Sequence, residues 1–282
     1  PHEPATTRLM RAFVVTVPAD EIELASDVLW QLGVRAIEER SGDDGVVELW
    51  TAVGDEAEAV GRATTALGER WPTRLVDIVD GAADTWRDFA GPMWIDDGLV
   101  VIPAWQRHAV DDGVVTIQIE PAGAFGLGDH PTTVLSLRAA RRHLGVGRRV
   151  LDVGCGTGVI AVMAALVGGS SVRAVDVASA AVEATRDNAA RNRVADHVDA
   201  DTTPVGDLDG SFHLVVANIL APTLVELADD LRRLTAPDGR LVISGVLADR
   251  HDHVLSALAP MTVERTDTLD GWAAVTLRHP AT

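Results

Sequence analysis

The chain has 282 residues, 47% of them apolar, with a formal net charge of −18; that length accommodates two cores and that composition excludes a disordered chain. All 24 basic residues are arginine and Cys155 is the single cysteine, which excludes a Schiff-base lysine, a Walker-type phosphate lysine, a disulfide framework and a cysteine-based zinc site. So acidic a surface serves solubility, disfavours direct nucleic-acid binding and favours a basic partner.

The longest apolar run, residues 159–167, falls far short of the roughly 20 residues that span a bilayer. With no basic-then-apolar signal pattern at the start, the expectation is a cytoplasmic protein with no membrane partner.

The first 80 residues alternate strand-like and helix-like segments. "RAFVVTV" (11–17) is β-branched and aromatic, the composition of a strand. Ile22, Ala25, Leu29 and Leu32 then recur at helical spacing, and Gly33 marks a stop. "AIEER" and "VVELWTAV" flank the hairpin-like "SGDDG"; a second helix over 55–70 and a strand over 73–80 follow. The order βαββαβ is that of a small α+β ferredoxin-like domain. It carries no catalytic constellation and reads as a binding or docking module. Residues 81–96, with "TWRDFAGPMW", read as a linker.

Two more strands, "GLVVIPAW" and "GVVTIQIE", precede a change of pattern at Pro131. Strands over 148–154, 171–177, 197–201, 212–219 and 239–246 alternate with helical stretches, so the fold class is α/β with a parallel sheet. "MTVERTDTL" and "WAAVTLRH" have no helix between them, and an antiparallel hairpin closing the sheet fits that ending.

Three segments carry chemistry. "VLDVGCGTG" (150–158) is an apolar strand ending in Gly154, Gly156 and Gly158, which let backbone approach a ligand at the carboxyl edge of the sheet. Asp176 ends the next strand, where a carboxylate can accept both hydroxyls of an adenosine ribose. A dinucleotide enzyme is the rival, through a G-x-G-x-x-A match at Gly156, Gly158 and Ala161. No second catalytic domain follows to hold a hydride acceptor, and the terminal strand pair favours S-adenosylmethionine. In "VVANILAPT", Asn218 stands where a strand leaves the same edge; its carbonyl can accept from a nucleophilic amine, or it can be a turn-forming asparagine. "GAFGLGDHPTT" (123–133) combines glycines, an aromatic and an Asp-His pair ahead of a helix.

Together "AFGLGDHPTT", "VLDVGCGTGVIAVMAAL", "AVDVASAAVEATRDNAARN", "VVANILAPTLVELADDL" and "LVISGVLADR" resemble the ribosomal protein L-eleven methyltransferases, and the likeness covers roughly residues 11–278. The resemblance implies a Rossmann-like seven-stranded class I methyltransferase domain over 97–282, tethered by the linker 81–96 to a substrate-recognition domain over 1–80. It implies S-adenosylmethionine as cofactor, held by Thr133, Gly154, Asp176 and Asn218, with Phe125 of a cofactor lid nearby. The implied reaction is N-methylation of lysine side chains and the N-terminal amine of one basic ribosomal protein, with Asn218 orienting the amine.

One departure is visible. Where the family's lid stretch reads G-T-G, this chain has Leu127, which removes a hydroxyl beside the site and leaves the substrate open. Asp129 and His130 are adjacent with no further ligands at useful spacing, so no metal is expected and His130 reads as structural. Cys155 reads as a small loop residue, and Trp86, Trp94 and Trp105 as packing anchors rather than a substrate cage. The alternatives kept open are a methyltransferase of the same fold acting on another protein or a small molecule, and a non-catalytic binding module.

Overall fold

The computed structural model describes residues 9–32, 34, 37–41, 45–53, 57–68, 70–79, 91–120, 130–168 and 171–280. The chain divides into two compact units, Pro1–Ala90 and Gly91–Thr282.

In the first unit, β1 (Leu9–Pro18), α1 (Ile22–Gln31), β2 (Ile37–Ser41), β3 (Val46–Thr51), α2 (Ala57–Leu67) and β4 (Thr73–Val79) follow in that order. The sheet order is β2-β3-β1-β4, antiparallel throughout. This is the ferredoxin-like arrangement expected from the element order. Period-two alternation on β1 turns Phe13, Val15 and Val17 to one face, where they bury with Leu49, Ala25, Leu29, Ala63 and Leu67. Trp71 closes the edge of this core, and its indole N–H donates to Glu21 at 2.6 Å.

The second unit opens with a three-stranded sheet, β5 (Met93–Asp96), β6 (Leu99–Pro103) and β7 (Val115–Ile119). β5 is antiparallel to β6, and β6 is parallel to β7. Residues 93–96, expected in the linker, therefore belong to a sheet. A tight turn makes this possible, with the Gly98 amide donating to Asp96 Oδ1 at 2.9 Å while Ile95 is wholly buried. A four-residue strand beside Pro92 shows too little alternation to stand out in the sequence.

The main sheet comprises β8 (Val150–Val153), β9 (Val172–Val175), β10 (Val198–Asp201), β11 (Phe212–Asn218), β12 (Thr235–Leu247), β13 (Thr262–Leu269) and β14 (Trp272–Arg278). Their order is β10-β9-β8-β11-β12-β14-β13. The first five are parallel, and β14 lies antiparallel between β12 and β13. This is the seven-stranded sheet of class I methyltransferases.

Helices α3 (Pro131–Arg141), α4 (Val159–Gly168) and α5 (Ser179–Arg191) cover one face; α6 (Ala221–Glu226), α7 (Ala228–Leu234) and α8 (Asp252–Ala257) cover the other. With both faces covered, the central strands are apolar almost without interruption: β11 reads FHLVVAN and Leu214 to Ala217 are wholly buried. Strand order reverses across β8 and β11, which makes the carboxyl end of that pair the topological switch point.

Candidate cofactor and active site

The chain leaves β8 through Gly154, Gly156 and Gly158, whose φ angles are 71°, 54° and 77°. These left-handed conformations are costly for residues with a Cβ. The Gly154 and Cys155 amides donate to Val175 O at 2.8 and 3.1 Å, holding the loop against the end of β9. Space is tight as well. A Cβ at Gly158 would stand 2.8 Å from Thr185 Oγ1 and 2.9 Å from the Thr185 Cα on α5, and one at Gly154 would overlap Ile219 Cγ2.

Asp176 follows β9 and is fastened at both oxygens. Oδ2 accepts from the Gly156 amide at 3.0 Å and Oδ1 from the Ala178 amide at 2.9 Å. Each oxygen keeps acceptor capacity, since an ionised carboxylate offers about four lone-pair sites.

Asn218 is the last residue of β11 and pairs in register with Ser244 of β12. Its neighbour Ile219 packs on Gly154, and Ile219 O crowds Gly245, so this exit lies directly over the glycine loop. The Asn218 side chain is half-buried and makes no hydrogen bond among the described residues. Ser244 Oγ in turn lies 3.3 Å from Thr132 O, placing the first turn of α3 beside the same strand ends. Pro131 opens that helix and His130 caps it, Nδ1 accepting from the Thr132 amide at 3.3 Å. His130 thus serves as the helix N-cap, and its ring also meets Trp272 edge-on with centroids 5.1 Å apart.

A model of the ribosomal protein L11 methyltransferase (PrmA) family matches residues 14–280. The chain belongs to this family. The ribosomal protein L11 methyltransferase of Methylococcus capsulatus is 35% identical over 286 residues, covering 94% of this chain and 97% of that protein. That of Citrifermentans bemidjiense is 40% identical over 205 residues, covering 70% and 67%. Among solved structures, the ribosomal protein L11 methylase of Lactobacillus delbrueckii subsp. bulgaricus is 28% identical with a TM-score of 0.63, covering 67% of this chain and all of that one. Membership makes this chain an S-adenosylmethionine-dependent class I methyltransferase.

The residues present fit that cofactor of the methyltransferase. Thr133 Oγ1 and Asp152 Oδ1 are buried without a hydrogen-bond partner in the chain among the described residues, and buried polar atoms rarely stay unpaired in a native protein without a ligand or water to serve them. Asp152 is 1% exposed, and burial pushes its carboxyl up to about 7. The Ala161 amide on Oδ2 opposes that rise and the Asp176 charge adds to it. A buried carboxyl with one oxygen left unpaired, two residues before the first glycine of the loop, suits a ligand bearing a sulfonium and an ammonium group.

Sequence reasoning passed over Asp152 as a site residue, although an acid within the apolar run "VLDV" was the signal for it. It also passed over Thr185, whose hydroxyl lies 3.1 Å from Gly156 O and 3.2 Å from Cys155 Sγ. Cys155 itself is 6% exposed and burial raises its thiol further from ionisation, which fits a packed loop residue and not a nucleophile. Phe125 and its lid neighbours Gly126, Leu127, Gly128 and Asp129 lie outside the described residues, as does Trp86. No group of three metal-ligating side chains occurs among the described residues, and no helix there is long and apolar enough to cross a membrane.

The recess bounded by Asp96, Arg138, Arg141 and Arg142 lies at the far end of α3 from Thr133. Its arginines are already committed: Arg141 pairs with Asp96, Arg142 with Asp267, and Arg138 donates to Ile95 O. Its lining charges are thus served within the protein.

Proposed function

We propose that this chain methylates ribosomal protein L11, on lysine side chains and the N-terminal amine, and that Thr133, Gly154, Gly156, Gly158, Asp176 and Asn218 hold the cofactor, with Phe125 beside it. When bound, S-adenosylmethionine supplies a methyl group already activated on a sulfonium. What is left to the protein is alignment, exclusion of water and delivery of a neutral amine. The observation that carries this reading is Asn218. It stands at the switch point, beside the Ile219 that packs on Gly154, with a side chain uncommitted to any described group.

The Asn218 carbonyl accepts an N–H of the incoming amine and so directs the nitrogen lone pair away from itself. A lysine amine ordinarily ionises near 10.4, and a site of low dielectric lowers that value, releasing the ammonium proton to water before attack. The bound cofactor would supply the methyl group and leave as its thioether, and the amine's surplus proton would pass to solvent.

A net charge of −18 favours encounter with a basic substrate. Residues 1–80, within the first unit, are the recognition module in this reading, since every proposed cofactor contact lies after residue 120. Reaction with isotope-labelled S-adenosylmethionine in a ribosome-containing lysate, read by mass spectrometry, tests the proposal. Label on ribosomal protein L11 amines is the expected result. Label confined to another protein or a small molecule would transfer the same chemistry to a different substrate, and failure to bind the cofactor would leave only a binding module.

A further inference from the structure

We propose that Asn188 is a positioning residue for the cofactor loop, tying it to the edge of the neighbouring small sheet. Asn188 lies on α5 and is wholly buried. Its Oδ1 accepts from the Glu120 amide at 2.9 Å, and its Nδ2 donates to Glu120 O at 2.9 Å and to Thr157 O at 2.9 Å. Both amide protons are therefore committed, one to each carbonyl. Thr157 stands between Gly156 and Gly158 and is itself wholly buried.

One turn further on, at the C-cap of α5, Asn192 repeats half of this arrangement. Its Oδ1 accepts from the Gln118 amide at 2.9 Å and its Nδ2 donates to Gln118 O at 2.7 Å. The two asparagines are neighbours on one helix face, roughly 5–6 Å apart. Gln118 and Glu120 present their backbone groups to the same side of β7 at about twice 3.3 Å. The near match lets two amide side chains stand in for a missing strand at the edge of β7. Only Asn188 also reaches the glycine loop.

That difference matters because three of the loop's residues are left-handed glycines with no side chain to anchor them. Its carbonyls are instead served by α5: Thr185 Oγ1 lies 3.1 Å from Gly156 O, and Asn188 holds Thr157 O. The same helix follows Asp176, whose carboxylate holds the Gly156 amide. Loop and carboxylate are thus pre-set by one rigid element, so that little ordering remains to oppose binding.

The inference rests on the glycine loop being the cofactor loop, and the test separates the two. Asn188→Ala, Asn192→Ala and wild type are compared as full chains, by calorimetry with S-adenosylhomocysteine, by steady-state kinetics and by hydrogen exchange without ligand. For Asn188→Ala we expect affinity to fall about tenfold, the factor that ~1.4 kcal/mol represents. KM for the cofactor rises with it while kcat stays close to wild type, and amides 156–158 exchange faster. Asn192→Ala should lose comparable thermal stability yet keep wild-type affinity and loop exchange. Equal affinity and equal loop exchange in the two variants would overturn the proposal and leave Asn188 as a strand anchor alone. Failure of wild type to bind S-adenosylhomocysteine would count against the cofactor reading, and the exchange comparison would still decide on the anchor. Should Asn188→Ala not fold, Asn188→Asp keeps the acceptor for the Glu120 amide while removing the paired donors, and the same outcomes apply.

Discussion

The Gly156 amide donates to Asp176 Oδ2 at 3.0 Å, so the carboxylate proposed to hold the ribose also clamps the loop proposed to cradle the cofactor. One side chain serves ligand and scaffold at once. Asp176→Ala should therefore weaken S-adenosylhomocysteine binding at least tenfold, since charge-assisted hydrogen bonds contribute about 1.5–3 kcal/mol each. It should also lower stability by about 1 kcal/mol, because the Gly156 and Ala178 amides lose their acceptor. Calorimetry and thermal unfolding measure the two effects; an unchanged affinity would remove Asp176 from the site.

Asp152 makes the apo protein sensitive to pH. Its carboxyl ionises near the ordinary 3.8 when unfolded and near 7 when folded, so between those values the folded chain binds the extra proton. Stability from this group accordingly falls as pH rises from about 4 to 7 and is level above, by linkage. Asp152→Asn removes that cost: it should stabilise the cofactor-free protein at pH 8, by an amount on the order of 2–4 kcal/mol at most, and leave it unchanged at pH 4. Because the cofactor is cationic, wild-type affinity should rise between pH 6 and 8, and the rise should vanish in Asp152→Asn. Flat affinity in wild type would show that Asp152 does not sense the ligand.

Gly158 and Gly147 share nearly the same backbone, with φ of 77° and 75°, but a Cβ at Gly147 meets nothing within 4 Å whereas one at Gly158 runs into Thr185. Gly147→Ala should cost about 1 kcal/mol from backbone strain alone. Gly158→Ala adds a clash with the backbone of α5 and should cost a further 1–3 kcal/mol. Denaturant unfolding of both variants yields the difference directly. Equal losses would mean that α5 yields freely to the loop.

Asn218 tests the chemistry. Asn218→Asp is nearly isosteric but adds a charge that favours the ammonium form of the substrate, raising the pH needed to free its lone pair. Asn218→Ala removes the orienting acceptor and adds no charge. Both should lower turnover about tenfold or more at neutral pH, with Asn218→Asp recovering more steeply as pH rises. The comparison is turnover against pH at saturating cofactor. An Asn218→Asp variant equal to wild type at neutral pH would reduce Asn218 to a strand-end residue.

Short-range patterns carried much of this in the sequence. Apolar strands alternating with helical stretches announced a covered parallel sheet, because strands buried on both faces must be apolar throughout. Adjacent strands 261–269 and 272–279 announced the hairpin, because no crossover separates them. The glycine run and Asp176 raised the expectation of an adenosine site, because close backbone approach and a carboxylate at the next strand end are local requirements with a fixed spacing.

Other features depend on residues far apart in the chain and emerged only in three dimensions. The strand at Met93–Asp96 exists because β6 lies beside it and Ile95 finds a core, not because four residues have a strong preference of their own. Asp152 was legible as an acid in an apolar strand, but its rise to about 7 comes from burial under α4, with one oxygen left unpaired. The bonds made by Asn188 and Asn192 were invisible in "RDNAARN". Their partners at Gln118 and Glu120 lie some seventy positions away, 74 and 68 respectively. Backbone preference and apolar period are properties of neighbouring residues and so are written along the chain. Burial, unpaired polar atoms and the matching of a helix face to a strand edge are properties of packing, and only the folded chain decides them.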